Sequence, residues 1–325
     1  MPSRRRMIAA LLCATAFLAP GGAGAQYPAR TIKWIVPYTP AGITDSLTRI
    51  VAQKLEASLG QPIVVENKPG ANSIVGAEAV ARSAPDGYTA LTVIAAHAAN
   101  ATLYAGRLPF DPVKSFAPVS LVAVAPLILT VNNDFPAKDM KELIAYARAN
   151  PGKISFGSSG VGSAAHLTTE LLKQTADIDM LHIAYKGTAP ALTALLAGDI
   201  QVLVDVPITM LPQVRAGKVR ALGIFAAKRI VGAPEVPTIA ESGGPAIEGS
   251  TWVMFLAPVG TPREIVSRLS RETAKILSAP DIRARFEQMG VEPAGGTPEE
   301  ASRFLEEEIA KWAKVITTAN VKLEQ

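Results

Sequence analysis

The chain has 325 residues, 49% of them hydrophobic, with 32 Lys and Arg against 28 Asp and Glu and a single cysteine. Three of its four net positive charges are Arg4, Arg5 and Arg6, so residues 26–325 carry a net +1 and offer no basic surface for nucleic acid. Cys13 precedes residue 26, so residues 26–325 contain no disulfide and no thiol nucleophile.

Arg4 to Arg6 lead into an apolar run, Met7–Leu18, and then the small-residue sequence Ala23-Gly24-Ala25. This is the pattern of a secretory signal peptide spanning residues 1–25, cleaved after Ala25. The run is too short for a permanent membrane span, and no later stretch reads as one. Ser3-Arg4-Arg5-Arg6 also fits a twin-arginine export signal. The remaining 300 residues are long enough to expect two domains.

Ile32–Pro37 reads as a strand, Tyr38–Asp45 as a loop, and Ser46–Leu59 as a helix with apolar residues at Leu47, Ile50, Val51, Leu55 and Leu59. A strand Pro62–Asn67, a loop through Asn72-Ser73, a helix Ile74–Ser83 and a strand Tyr88–Ala95 come next, the last ending at Ala96-His97. Crossovers of this length predict a largely parallel sheet. Leu103–Pro118 reads as a loop. Val119–Val131, nearly all apolar, is a candidate crossing between domains. After a helix Lys138–Ala149 a second alternating unit begins. It runs through strand Lys153–Phe156, helix Ala164–Thr175, strand Met180–Ala184, a helix to Ala197, strand Val202–Val206, helix Pro207–Ala216 and strand Ala221–Ala226. Pro234–Gly249 is a loop and Thr251–Ala257 a buried-type strand. Three helices close the chain, at Pro262–Ser278, Asp281–Met289 and Glu299–Ala319. Having no sheet of their own, they must pack on the first unit. The expected fold is therefore α/β with two domains, 26–126 with 252–325 and 127–251, each a mostly parallel sheet flanked by helices. Two crossover segments join them, which suits hinge closure on a ligand.

Ile154–His166 concentrates the chemistry. A loop of three glycines and three serines, Gly157 to Ser163, opens directly into a helix. First-turn amides lack internal partners and the helix dipole makes that end positive, so the loop is a seat for a carboxylate or phosphate. Tyr38–Asp45 is a second loop of the same kind. Gly160 to Ala165 fits G-x-G-x-x-A, but the next strand ends in Tyr185-Lys186-Gly187 without the acid a dinucleotide's ribose requires. Ser158 and Ser159 near His166 raise a secreted hydrolase using Ser159 as the alternative, yet the G-x-S-x-G elbow is absent. His97, His166 and His182 show no metal-ligand spacing. Lys186 is a candidate partner for an anion, and Asp45 either caps its helix or meets ligand. Asp205, at the end of a strand, sits where open α/β sheets bind ligands; there it would receive an ammonium group or hold a loop.

Taken together, a series of short pieces resembles one family. They are Tyr27-Pro28, Val36-Pro37-Tyr38, Ala41-Gly42 with Asp45, Leu59-Gly60-Gln61-Pro62, Glu66-Asn67-Lys68-Pro69-Gly70-Ala71 and Pro85-Asp86-Gly87-Tyr88-Thr89. Further on come Phe116-Ala117-Pro118-Val119, Ser158-Ser159-Gly160 with Gly162-Ser163 and His166, Tyr185-Lys186-Gly187, Pro234 with Val236-Pro237-Thr238, and Ala257-Pro258 with Gly260-Thr261-Pro262. In this order, across the whole chain after the signal, they resemble the Bug-type extracytoplasmic solute receptors of tripartite tricarboxylate transporters.

The resemblance implies a type II-like periplasmic binding protein of flytrap form; no cofactor, metal or catalytic residue is expected, and a monomer is the default. It would capture a small carboxylate (an organic acid, dicarboxylate or amino acid) and deliver it to a membrane permease. Tyr38, Thr39, Ala41, Gly42 and Asp45 would form one wall. Ser158, Ser159, Gly160, Gly162 and Ser163 would form the other. Ala96, His97, Tyr185, Lys186, Asp205 and Val206 would complete the site. Two departures point to a ligand choice of the chain's own: Ala41-Gly42-Ile43 where the family carries more glycine, and Asn72-Ser73 after Ala71, near the mouth, where the family usually reads Pro-Gly-Ala-Gly.

Overall fold

The computed structural model describes residues 27–323. The expected signal peptide and its cleavage site lie outside the described residues.

From the start, β1 (Ile32–Val36), α1 (Ile43–Leu59), β2 (Ile63–Asn67), α2 (Ile74–Ala81) and β3 (Thr89–Ile94) form a βαβαβ unit, with β1 parallel to both β2 and β3. α1 buries Leu47, Ile50, Val51, Leu55 and Leu59 on one face and stops at Gly60. A helix not expected from the sequence comes next, α3 (Ala95–Leu103). Its sequence, Ala-Ala-His-Ala-Ala-Asn-Ala-Thr-Leu, is strongly helix-forming. It shows no amphipathic period, however, because it is buried nearly all round, and Ile94 gives no capping signal.

β4 (Phe116–Pro126) then runs to the edge of this sheet, and after Leu127 the chain enters a second sheet as β5 (Ile128–Asn132). That sheet gathers β6 (Ser155–Ser158), β7 (Leu181–Ala184), β8 (Val202–Asp205) and β9 (Val219–Ile224), with α4 (Met140–Ala149), α5 (Ala164–Ala176), α6 (Thr188–Ala197) and α7 (Pro207–Arg215) between them. β10 (Ser250–Pro258) returns to the first sheet. α8 (Arg263–Ser278), α9 (Pro280–Gln288), the short β11 (Glu292–Gly295) and α10 (Pro298–Thr318) finish the chain. As expected, the closing helices pack on the first unit: α8 against α1 and β4, α10 against α3 and β4. In this closing part only β11 departs from the expectation. It is a four-residue edge strand containing Pro293, which reads as loop and is tolerated because an edge strand needs few ladder donors.

Strand order is β11-β4-β10-β3-β1-β2 in the first sheet and β7-β6-β8-β5-β9 in the second. The parallel share is smaller than expected. Parallel pairing is confined to β1, β2 and β3 and to β6, β7 and β8. The crossing strands β4, β5 and β10, with β9 and β11, pair antiparallel. Long β-α-β crossovers impose parallel neighbours; a strand arriving from the other sheet is free of that constraint.

The waist is tied by three backbone hydrogen bonds in a ring: Leu127 N to Gly249 O at 2.9 Å, Gly249 N to Phe225 O at 3.0 Å, and Phe225 N to Leu127 O at 2.9 Å. A Cβ on Gly249 would stand 2.6 Å from Thr168 Oγ1, so glycine lets α5 lie against the waist. In the core below, the indole nitrogens of Trp252 and Trp312 both donate to Glu308 Oε2 at 2.8 Å, which locks α10 onto β10.

Candidate functional site

Between the two sheets lies a cleft of about 610 Å³. Its position follows from the wiring. In each unit the chain leaves a strand's carboxyl end, turns, and begins a helix, so strand ends and helix starts face the gap. Five helices present their N-caps to it: Gly42 of α1, Ile94 of α3, Ser163 of α5, Gly187 of α6 and Val206 of α7. Of these only Ser163 caps its own helix, accepting His166 N. Elsewhere α4 and α10 are closed by Asp139 and by a Thr297–Glu300 capping box. The cleft therefore collects helix-start amides and the positive ends of five dipoles.

Ten of the expected site residues line the cleft: Tyr38, Thr39, Ala41, Gly42, Ala96, Ser159, Ser163, Lys186, Asp205 and Val206. Five of the other six stand behind the wall and hold it. Asp45, 4% exposed, accepts Ala41 N at 3.0 Å and bonds Arg49 and Asn67. Burial raises its pKa, but those three partners more than offset this and hold the carboxyl below its usual range. The bond to Ala41 pins the first loop, where Ala41 adopts φ +67°. Ser158, fully buried, bonds Gly160 N at 3.2 Å and His182 Nε2 at 2.7 Å. Tyr185 N is held by Ser158 O, and its ring backs Gly157. Gly160 and Gly162 turn the loop at φ +138° and +77°. Gly162 also meets the opposite wall, since a Cβ there would overlap Leu103 of α3.

His97 belongs elsewhere. It is 1% exposed, bonded to Pro112 O at 2.9 Å and packed on Phe110 and Phe116. Because residues 95–103 are helical, it points into the core while Ala96 faces the cleft. His166 and His182 stack at 3.7 Å behind the Gly/Ser loop, and Gly162 N donates to His166 Nδ1 at 3.1 Å. Burial depresses all three histidines, to about 4 for His97 and His182 and about 3 for His166, so each is neutral in the folded chain. The serine bonded to a histidine is thus the buried Ser158. Ser159, the cleft serine named in the hydrolase alternative, makes no hydrogen bond to histidine among the described residues.

Sequence reasoning left out several lining residues, notably Leu127, Thr188, Thr209 and Thr251. A usable signal was present for Thr188 and Thr209, which lie in first turns lacking a side-chain cap. None marked Leu127 or Thr251, which depend on how the crossings meet. Asn72 lines the mouth and exchanges hydrogen bonds with Asn100 of α3, Nδ2 to Oδ1 at 2.7 Å and Asn100 Nδ2 to Asn72 O at 2.8 Å. Lys186 and Asp205 are the ionisable side chains of opposite sign in the lining, and Tyr38 adds a phenol. Among the described residues no cluster of His, Cys, Asp and Glu is placed to hold a metal, and no helix is long and apolar enough to cross a membrane.

Residues 47–321 match the family model described as tripartite tricarboxylate transporter family receptor. Among solved structures, Rpa4515 of R. palustris, determined with adipate, superposes with a TM-score of 0.85 at 36% identity, covering 91% of this chain and 99% of that one. The periplasmic binding protein BugD gives 0.81 at 34%, covering 92% and 100%. MatC of Rhodopseudomonas palustris, with bound malate, gives 0.80 at 32%, covering 89% and 100%.

Proposed function

Because the chain belongs to the receptor family of tripartite tricarboxylate transporters, with a Bug-type solute-binding fold, we propose that its cleft captures a small carboxylate for delivery to a membrane permease. The observation that carries this reading is the convergence of five helix N-caps, four without a capping side chain, on one cleft. A carboxylate takes two to four amide or hydroxyl donors, and donors already fixed on helix ends need no ordering when it arrives. Lys186 adds a positive charge, while Ser159 and Ser163 add hydroxyls. Adipate and malate in relatives of similar fold support the same ligand class.

On this reading the mature protein starts after Ala25 and works in the periplasm as a monomer. Its domains are residues 26–126 with 252–325 and residues 127–251, hinged where Leu127, Phe225 and Gly249 join. The site comprises the ten lining residues from the first loop, the Gly/Ser loop and the Ala96, Lys186 and Asp205–Val206 wall, with Asp45, Ser158 and Tyr185 as supports.

A thermal melt of the mature protein against a panel of organic and amino acids tests this. A binding acid at a hundred times its Kd adds about 2.7 kcal/mol to stability, a shift of several degrees. Lys186→Ala and Ser159→Ala should each shrink that shift. A panel without any shift would remove the carboxylate reading.

A further inference from the structure

Helix ends and Lys186 explain the donors of the cleft; they do not explain its one acid. Asp205 is 5% exposed. Its Oδ1 accepts Val206 N at 2.7 Å, whereas Oδ2 is buried without a hydrogen-bond partner. Thr188 stands close enough to lower its pKa without reaching hydrogen-bond geometry on Oδ2. The hydroxyl of Thr251, also in the lining, is likewise buried and unpartnered. Register puts both residues at the waist. Asp205 pairs with Ile128, Thr251 pairs with Ala125, and Leu127 between them lines the cleft.

We propose that this floor, Asp205 Oδ2 with Thr251 Oγ1, receives the ammonium group of an amino-bearing carboxylate. The inference rests on the receptor reading above and names the ligand's second functional group. A buried carboxylate with an open oxygen requires a donor, and a charged donor above all. Burial pushes the Asp205 carboxyl up to about 6, against the Val206 amide and the Thr188 hydroxyl, so it is mainly ionised at neutral pH. An ammonium group matches its charge and supplies three donors, two of which Asp205 and Thr251 take. A hydroxy acid would offer one donor and no charge. A plain dicarboxylate would bring a second anion to the acid. With Lys186 and Asp205 as the ionisable groups of the lining, one of each sign, the cleft complements a ligand carrying both charges.

Calorimetric titration at pH 7.5 with matched sets tests this: succinate, malate and aspartate; glutarate, 2-hydroxyglutarate and glutamate; adipate and 2-aminoadipate. At least one amino acid should bind at least about tenfold more tightly than its partners. Asp205→Asn should weaken it roughly 10- to 100-fold while tightening the matched dicarboxylate, which no longer meets a second anion. Thr251→Val should show a smaller loss of the same preference. Tighter binding of a dicarboxylate or hydroxy acid by the unsubstituted protein would overturn the inference and leave the receptor reading standing. So would an amino-acid preference that survives in a folded Asp205→Asn variant. If Asp205→Asn fails to fold, the ranking in the unsubstituted protein still decides. Binding of no acid of any set would overturn the receptor reading itself.

Discussion

At the scale of the residue, the cleft divides labour between side chains that line it and side chains that hold the lining in place. Asp45 and Asp205 are both buried carboxyls at helix starts, and their environments drive them apart. Three donors hold Asp45 below the usual carboxylate range; desolvation lifts Asp205 to about 6. Asp205 therefore opposes folding above its ordinary pKa, since the unfolded chain releases that proton more readily than the folded one. Asp205→Asn should raise the stability of the ligand-free protein at pH 7.5 by about 1–3 kcal/mol. The gain should fade as pH falls through about 4, and vanish below it, where both states are protonated. Melts of the two proteins across that range check the sign; a variant less stable at pH 7.5 would mean that Asp205 already has a partner in the empty cleft. Which carboxyl lines the cleft was not legible from spacing. Asp45 closes the expected loop, yet the structure places it in the first turn of α1 with Oδ2 turned back onto Ala41 N, and it does not line the cleft.

At the scale of the element, the Gly/Ser loop is a contact between the two halves as well as part of the cleft wall. Gly162 combines φ +77° with a close approach to Leu103 of α3. Gly162→Ala meets two costs, about 1 kcal/mol or more for the left-handed backbone and an overlap that keeps the two walls from meeting. Solute affinity should fall by roughly tenfold or more, since a cleft held ajar leaves polar contacts in water. The double variant Gly162→Ala with Leu103→Ala should recover part of the affinity but none of the backbone cost. Titration of the single and double variants separates the two effects. This contact was invisible in the sequence because α3 itself was. A helix buried on all faces loses the period by which helices are recognised, and its alanines, good formers everywhere, do not distinguish it from a strand's continuation.

At the scale of the whole molecule, three neutral histidines, His97 and His166 buried and His182 partly so, set the acid limit. The folded pKa values of His97, His166 and His182 lie at about 3 to 4, below the ordinary value of 6.5. The unfolded chain takes up protons first as pH falls below about 6.5, so the stability these groups confer is intact above that pH. It is lost toward pH 4, at up to about 1.4 kcal/mol per pH unit for each. Asp205 works in the opposite sense between its ordinary pKa and about 6 and offsets part of the loss. The ligand-free melting temperature should therefore drop from pH 6.5 to 4.5, and drop more steeply in Asp205→Asn. A melting temperature flat over that range would show that the histidines are already open to protons in the native state.

Sequence alone determined the alternation of strands and helices, the positions of the two strand-to-helix loops and the return of the closing helices to the first unit. Each of these is local, written in apolar period, glycine placement and the length of a crossover. Tertiary structure decided the rest. It sent the crossing strands antiparallel, because a strand arriving from another sheet carries no crossover to orient it. It turned His97 into the core and Ala96 toward the cleft, because a helix rather than a strand end occupies residues 95–103. And it gathered Asp205 and Thr251, 46 residues apart in the chain, on either side of the crossing at Leu127. Local pattern reports which side of an element is apolar; which polar atom is left without a partner depends on every element that packs around it.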